Sequence, residues 1–487
     1  MPSFAVIGSG IAGLYTAHGL RQAGFDVTLY SDRTPEQWLK TSRPTGTAAR
    51  FEPALAIERQ LGLNHWEEQA PKGGGAHVTF CLKRGNRLVT LAGRLPEGTY
   101  FQAIDVRLQS ARWMEDLEAR GGKVVIESVT VPRLDAIAAE HDLTLVAGGR
   151  AELSGLFPRD AARSAYETPQ RKLALVKAQN ARLGFDGIPF LPVKFNLFAP
   201  YGEGFWVPFF HKDVGPCWSL LIEAKAGGPL DRYGGANSAE AVLAITKEII
   251  RELCPWDWPW AKDMTTCDEH GWLVGSFAPT VRQPVGRLPS GRIAGAVGDT
   301  QMSLDPIAGQ GANSAAKMAR HLVDRIVAHA ARGGRPFDER FLTETHDAYH
   351  ARHGGPIHEF SRVLLEPLTE AGQTLLISQY GSDGTRPGTG RGPVHDGRQK
   401  IADAFIENFA DPAFITDAFV DLNKARAFVE QCTGRSWRRA LLSGRARIAL
   451  GQLRQLVGLP PHHPLTATPE PDADAEPPAP PARQATG

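Results

Sequence analysis

The chain has 487 residues, of which 42% are apolar and 22% charged, an ordinary globular composition with length enough for about three domains. Its 54 Lys and Arg nearly cancel 53 Asp and Glu, leaving a net charge of +1, so no global field selects nucleic acid or an anionic membrane. Five scattered cysteines (Cys81, Cys217, Cys254, Cys267, Cys432) include no Cys-x-x-Cys pair, which argues against a disulfide framework and structural zinc. No apolar run reaches the ~18 residues of a membrane span.

Residues 4–7 read as a strand that runs into Gly8-x-Gly10-x-x-Gly13, then into a helix-period stretch, Leu14 to Ala23, stopped by Gly24. Val27–Tyr30 alternates as a second strand. A strand so close to the start leaves no place for the basic and apolar regions of a leader, and a cytoplasmic location is expected. A helix is predicted over 104–120, stopped by Gly121-Gly122, with strands at 123–129 and 143–147. From about 165 to 275 the pattern is mostly β, with strands near 171–178, 193–198, 204–210 and 217–224 and one helix over Ala239–Leu253. A strand at 292–297 feeds Gly298-Asp299, and a long helix begins near Gly311. Beyond 335 the chain reads as helical around a Gly/Pro-rich loop at 381–397. Trp256, Trp258 and Trp260 read as core packing. Residues 436–457, with five arginines, read as a solvated basic helix. The tail 461–487 is rich in Pro and acids and is expected to be disordered.

Two motifs carry chemistry. In the first, Gly8 makes the turn after the strand, Gly10 lets backbone approach a pyrophosphate, and Gly13 lets the helix pack on the strand. The helix N-terminus, with Ile11 and Ala12, then faces the phosphates. Asp32, beside Arg33, is the acid available for a ribose, although the usual register falls on Ser31. The second motif is Gly298-Asp299-x6-Pro306-x-x-Gly309-Gln310-Gly311-Ala312-Asn313, a spacing expected by chance in about one chain in 10,000 of this composition. A strand end places Asp299 on a polyol, and the loop offers backbone N–H groups at a helix start, where an electron-rich ring edge is stabilised.

Together the motifs resemble the FAD-dependent monooxygenase fold of the aromatic hydroxylases. The chain resembles more closely the oxygenase components of styrene and indole monooxygenases. The resemblance lies in Ser31-Asp32-Arg33-x-Pro35, Asp105-x-Arg107-Leu108, Leu117–Lys123, Glu167-x-Pro169-Gln170-Arg171, Gly298–Asn313 and Ala402-Asp403-x-Phe405-x-x-Asn408-Phe409.

This resemblance implies an α/β fold: a doubly wound, Rossmann-like FAD-binding domain (1–50, 101–164, 276–350), a β-rich substrate domain (51–100, 165–275) and a helical C-terminal region (351–460). It implies FAD held by Asp299 on the ribityl chain and by Arg43 and Arg107. Pro306, Ala308 and Gly309 would face the ring, where oxygen is transferred from a flavin peroxide. It also implies a separate NAD(P)H:flavin reductase that supplies FADH2 for reaction with O2, and an electron-rich aromatic alkene or indole as substrate. The segment Arg43–Arg50 should border the ring, with Gly46, Ala48 and Arg50 as pocket candidates beside Phe205 and Phe209. No metal site is expected, and a homodimer is left open. The alternatives are a self-sufficient NAD(P)H-dependent hydroxylase and a flavin-binding protein without turnover.

Overall fold

A computed structural model describes residues 2–459 other than 45, 84–85, 149–150, 200, 334–335, 387 and 389–391. The expected disordered tail, 461–487, lies outside the described residues.

The first sheet is built from the segments that read as strands at the N-terminus. Its order is Val285–Arg287, Ile293–Ala296, Leu143–Val146, Ser3–Ile7, Asp26–Ser31, Lys123–Ile126, parallel except at the Val285–Arg287 edge. Side chains alternate across a strand, so Phe4 and Val6 join one core and Ala5 and Ile7 another. The first core lies under helices Ile11–Gln22, Val106–Ala119 and Gly311–Ala330, and the second under Val131–Glu140. Burial on both faces is what a parallel, doubly wound sheet requires. Helix Ile11–Gln22 crosses Gly311–Ala330 closely, because a Cβ on Gly19 would stand 2.9 Å from Val323.

The second sheet is larger and mostly antiparallel. Its order is Thr265–Thr266, Lys172–Gln179, Gly215–Ala224, Gly202–His211, Pro192–Phe198, Gly75–Lys83, Asn86–Arg94, and Trp272–Gly275 also pairs with Lys172–Gln179. One face packs on helix Ala239–Leu253, where Trp256, Trp258 and Trp260 cover the core. The other face packs on the C-terminal helices Gly355–Leu365, Glu370–Ser378, Pro393–Ala410 and Leu422–Thr433 and on the loop at 307–308.

Three expectations shift. The helix after Gly10 starts at Ile11 rather than Leu14, so the last glycine of the motif is already helical. Helix Pro393–Ala410 begins inside the segment that reads as a loop; Pro393 occupies its first turn, where a missing N–H costs nothing. The division at residue 50/51 runs through a packed unit: helix Glu52–Leu61 contributes Ala54 and Leu61 to the first core, whereas Gly75–Arg94 joins the second sheet. Among the described residues no helix is long and apolar enough to cross a membrane.

Candidate active site

The glycine turn has the geometry its spacing implies. Gly8 lies at φ +113°, where an L side chain is strained. A Cβ on Gly13 would stand 1.9 Å from the Gly8 carbonyl oxygen, so only glycine lets the helix meet the strand. A Cβ on Gly10 would meet nothing within 4 Å: that backbone faces open space at the N-terminus of helix Ile11–Gln22. Gly298, at φ +61°, is locked against the same helix, since a Cβ there would lie 2.4 Å from Ala12 Cβ. Two distant glycines thus bring Asp299 beside the phosphate-type turn. Asp299 is exposed to solvent, yet protein crowds round it and burial of its surroundings raises its carboxyl, with Arg282 opposing. An exposed carboxylate in a walled recess is open to a hydroxyl-rich ligand.

The loop that follows is tied on both sides. Asp305 caps Pro306–Ala308 by accepting from Ile307 N at 3.1 Å, and burial raises its carboxyl to about 6. Asn313 accepts from Phe51 N at 2.9 Å and donates to the Ala49 and Gly309 carbonyls at 2.9 and 2.8 Å. Gln310 donates to Ala308 O and to Phe409 O, at 3.0 and 2.7 Å. The Asn313 amide and the Gln310 Nε2 donor, expected at the cofactor, are therefore spent on protein backbone and hold the loop against residues 49–51 and helix Pro393–Ala410, while the buried Gln310 Oε1 has no described partner. Ala308 is fully buried, with its carbonyl on Gln310, while Pro306 and Gly309 are half-buried. A Cβ at Gly309 or Gly311 would meet nothing within 4 Å, and Gly311 and Ala312 begin the 20-residue helix with their N–H groups free of helical partners.

Other expected residues sort by what they touch. Ser31 fills the acid's register as a buried hydroxyl on Ser9 Oγ at 2.7 Å, and Asp32 stays exposed, 3.8 Å from Arg33. Arg43 lies over the Trp272 ring at 4.1 Å. Arg50 does not line the pocket: it is fully buried, paired with Glu58, which also accepts from Tyr15 Oη at 2.5 Å. The helix at 52–61 places Glu58 two turns on, and that carboxylate captures the guanidinium. Arg107 is likewise committed. It grips Asp105 through Nε and Nη2 at 2.9 and 2.8 Å, and Nη2 also reaches Asp268 at 2.8 Å. His211 Nε2 meets Asp268 at 2.6 Å while its Nδ1 accepts from Asp213 N at 3.1 Å. Burial pushes Asp105 and Asp268 up, but hydrogen bonds from Arg107 and, for Asp268, from His211 as well hold both below the usual carboxylate range. His211, Asp213 and Asp268 are close enough to share an ion, but Asp268 already faces the Arg107 cation and Asp213 pairs with Lys212.

Phe205 and Phe209 lie on the face of the second sheet that joins Phe51, Ile307 and Ala308 in one apolar cluster. Gly46 and Ala48 border it in a coil, with Ala48 at φ +53°. Two polar groups on this face were not expected. Lys177 is fully buried on Lys172–Gln179. Glu223, 1% exposed, has neither carboxylate oxygen hydrogen-bonded; burial and then Asp305 and Glu203 push it up, against Arg171. A signal for the lysine was present: it interrupts an otherwise apolar run, Leu173–Ala178, in a strand buried on both faces.

The styrene monooxygenase A substrate binding domain family matches residues 149–259, which include the strands from 172 to 224 and the helix Ala239–Leu253. The NAD(P)-binding Rossmann-like domain family matches residues 6–35. The styrene monooxygenases StyA of Pseudomonas fluorescens and of a Pseudomonas species are each 27% identical over 347 residues, 69% of this chain and 79% of theirs. A flavoprotein/dehydrogenase from Cytophaga hutchinsonii superposes with a TM-score of 0.60 at 12% identity, over 88% of this chain and 98% of its own. The flavin-dependent brominase Bmp2 gives 0.53 at 13%, over 92% and 98%. The p-nitrophenol 4-monooxygenase PnpA of Pseudomonas putida DLL-E4 gives 0.52 at 16%, over 88% and 97%. These three share the fold. The chain is styrene monooxygenase-like and is a flavoprotein monooxygenase.

Proposed function

We propose that this styrene monooxygenase-like flavoprotein takes reduced FAD from a separate NAD(P)H:flavin reductase and oxygenates an electron-rich aromatic, such as an aromatic alkene or indole. The observation that carries the reading is the meeting of Gly298-Asp299 with the Gly8–Gly13 turn, beside backbone that is open at Gly10, Gly309 and Gly311. That cradle fits a dinucleotide. Gly10, Ile11 and Ala12 would hold the pyrophosphate, Asp32 and Arg33 the ribose end, and Asp299 the ribityl chain. Arg43 and Arg107 would support the cofactor from the segments around them. Pro306, Ala308 and Gly309 would lie along the ring, and the free N–H groups of Gly311 and Ala312 would face its pyrimidine edge.

Bound reduced FAD would supply the two electrons that activate O2, one atom of which goes to the substrate while the other leaves as water. The chain's own share is to position and to keep water out. Asn313 and Gln310 fix the loop, and Phe205 and Phe209 give the substrate an apolar wall. Gly46 and Ala48 border the ring. No acid–base dyad is required for this chemistry. The helical layer from 351 onward, through Phe360, Phe405 and Phe409, seals the far side of the cluster.

The test is NADH consumption and styrene or indole oxidation by the pure protein with FAD, with and without an unrelated flavin reductase. Product only when the reductase is present is expected. NADH oxidation by this chain alone would replace the reading by a self-sufficient hydroxylase. Tight FAD binding with no product under either condition would leave a flavin-binding protein.

A further inference from the structure

Lys177 lies on the wall between the two domains, directly across from Ser219 in the sheet register. It is fully buried. Its Nζ donates to Ser219 Oγ at 2.9 Å, and that hydroxyl lies 2.9 Å from Thr47 Oγ1. The Gly46 carbonyl is 3.5 Å from Nζ, at the limit of a hydrogen bond, and the Phe209 ring centroid is 3.6 Å away. An ammonium has three donors, and here one of them has a good acceptor. No described carboxylate forms an ion pair with it. Asp105 and Arg107 act on it only at longer range and with opposite sign, with Cys217 and Cys267 also facing it. Burial pulls its ammonium down to about 7.

The surroundings make this more than a stray core lysine. Gly46 and Thr47 belong to the coil proposed to border the ring, and Phe209 belongs to the cluster containing Ala308. Of the neighbouring cations, the Arg50 guanidinium is paired with Glu58, Arg107 with Asp105 and Asp268, and Arg43 lies over the Trp272 ring. An isolated buried cation is costly unless a ligand completes it.

We propose that Lys177, with Ser219 and Thr47, is a specificity-determining anchor for an aromatic substrate that carries an anionic oxygen group, which the ammonium pairs while the ring lies against Phe209. This rests on the monooxygenase reading only for where the substrate reacts, and the anchor itself is tested by binding.

The experiment is calorimetric titration of the full chain with 4-vinylbenzoate and with styrene, its hydrocarbon counterpart, in the parent and in Lys177→Met. The parent should bind 4-vinylbenzoate at least tenfold more tightly than styrene. Lys177→Met should lose that preference while binding styrene as the parent does. Because the lysine is charged below its pKa and the carboxylate only above about pH 4, the preference should be largest between about pH 5 and 7 and fall as pH rises past 7. Equal binding of 4-vinylbenzoate by the two proteins, or a preference independent of pH, would overturn the assignment. The methionine variant should melt no lower than the parent, since it removes a buried ionisable group, so a loss of binding in a folded variant is interpretable. Lys177→Arg, which keeps the charge, supports the anchor if it retains part of the preference and overturns it if it abolishes the preference while folded. No reductase or turnover enters the readout, so failure of the two-component reading leaves this test standing, and the reverse holds as well.

Discussion

The strongest lever on the cofactor reading is a pair of substitutions three residues apart. Gly13→Ala would place a methyl group 1.9 Å from the Gly8 carbonyl oxygen and 3.3 Å from Ala147 Cβ. Carbon and oxygen approach to about 3.3 Å, so backbone would have to move by roughly 1 Å or more. Overpacking of this kind costs about 1–3 kcal/mol, and more where the obstacle is backbone. Gly10 differs. It sits at φ −78°, ψ −179° with nothing within 4 Å of its Cβ position. Alanine fits that conformation, and the roughly 0.4–1 kcal/mol gained from the stiffer unfolded chain offsets its poorer fit as the N-cap of helix Ile11–Gln22, so apoprotein stability should change little. If a pyrophosphate packs on Gly10, the same methyl group should weaken FAD binding at least ~10-fold, which is about 1.4 kcal/mol. The assay is thermal unfolding without FAD, followed by FAD titration monitored by flavin fluorescence. Gly13→Ala should lower the melting temperature of the apoprotein. Gly10→Ala should leave it nearly unchanged while losing the cofactor. Parent-like FAD affinity in Gly10→Ala would mean the dinucleotide does not lie there.

Asp299→Ala should leave apoprotein stability nearly unchanged but weaken FAD by about 1.5–3 kcal/mol, the worth of a charge-assisted hydrogen bond; unchanged affinity in equilibrium dialysis would displace the ribityl chain from this recess. Glu58→Gln strands the buried Arg50 charge and should cost about 3–5 kcal/mol in urea unfolding, with Arg50→Met combined with Glu58→Met recovering most of it; a double variant as unstable as the single would show that the pair does not act as a unit. Burial raises the Asp305 carboxyl from its ordinary 3.8 to about 6 in the folded chain, so the proton it holds favours folding fully below about pH 4 and that stability is lost as pH rises through 6. The difference is worth about 3 kcal/mol. Asp305→Asn keeps the capping acceptor and should therefore match the parent at pH 4 and exceed it in apoprotein stability at pH 8; a pH-independent difference would refute the assignment.

What could be read from the chain alone follows from where each function is carried. Helix Ala239–Leu253 has the bounds expected of it, and the four strands from 172 to 224 lie within two residues of their expected ends, because alternation and turn residues are local signals. The Gly8–Gly13 turn was legible for a related reason: its work is done by backbone, and backbone that must bend or approach closely leaves glycine behind as a mark. What escaped depends on pairing over distance. Nothing local says that Gly75–Lys83 runs parallel to Pro192–Phe198, or that Glu58 would take Arg50 away from the pocket. The polar residues of the loop, Gln310 and Asn313, point into protein because the loop is fastened there to Ala49, Phe51 and Phe409, and a motif cannot show which partner its side chains choose.

The division has a consequence for specificity. A cofactor cradle made of turns and helix starts would tolerate changes in the surrounding side chains, whereas the proposed substrate wall of Phe205, Phe209, Lys177 and Ser219 comes from three neighbouring strands of one sheet. One substitution there alters the chemistry offered to the substrate without disturbing a single turn. In this chain the proposed wall is apolar at Phe205 and Phe209 but ends in the Lys177 ammonium, which has no carboxylate partner among the described residues. An entirely hydrocarbon substrate would leave that charge as costly as the fold does, and an oxygen-bearing one would relieve it. Binding energy gained there would be available to hold the ring in place, which would make the sheet wall, rather than the glycine turns, the place where the substrate is selected.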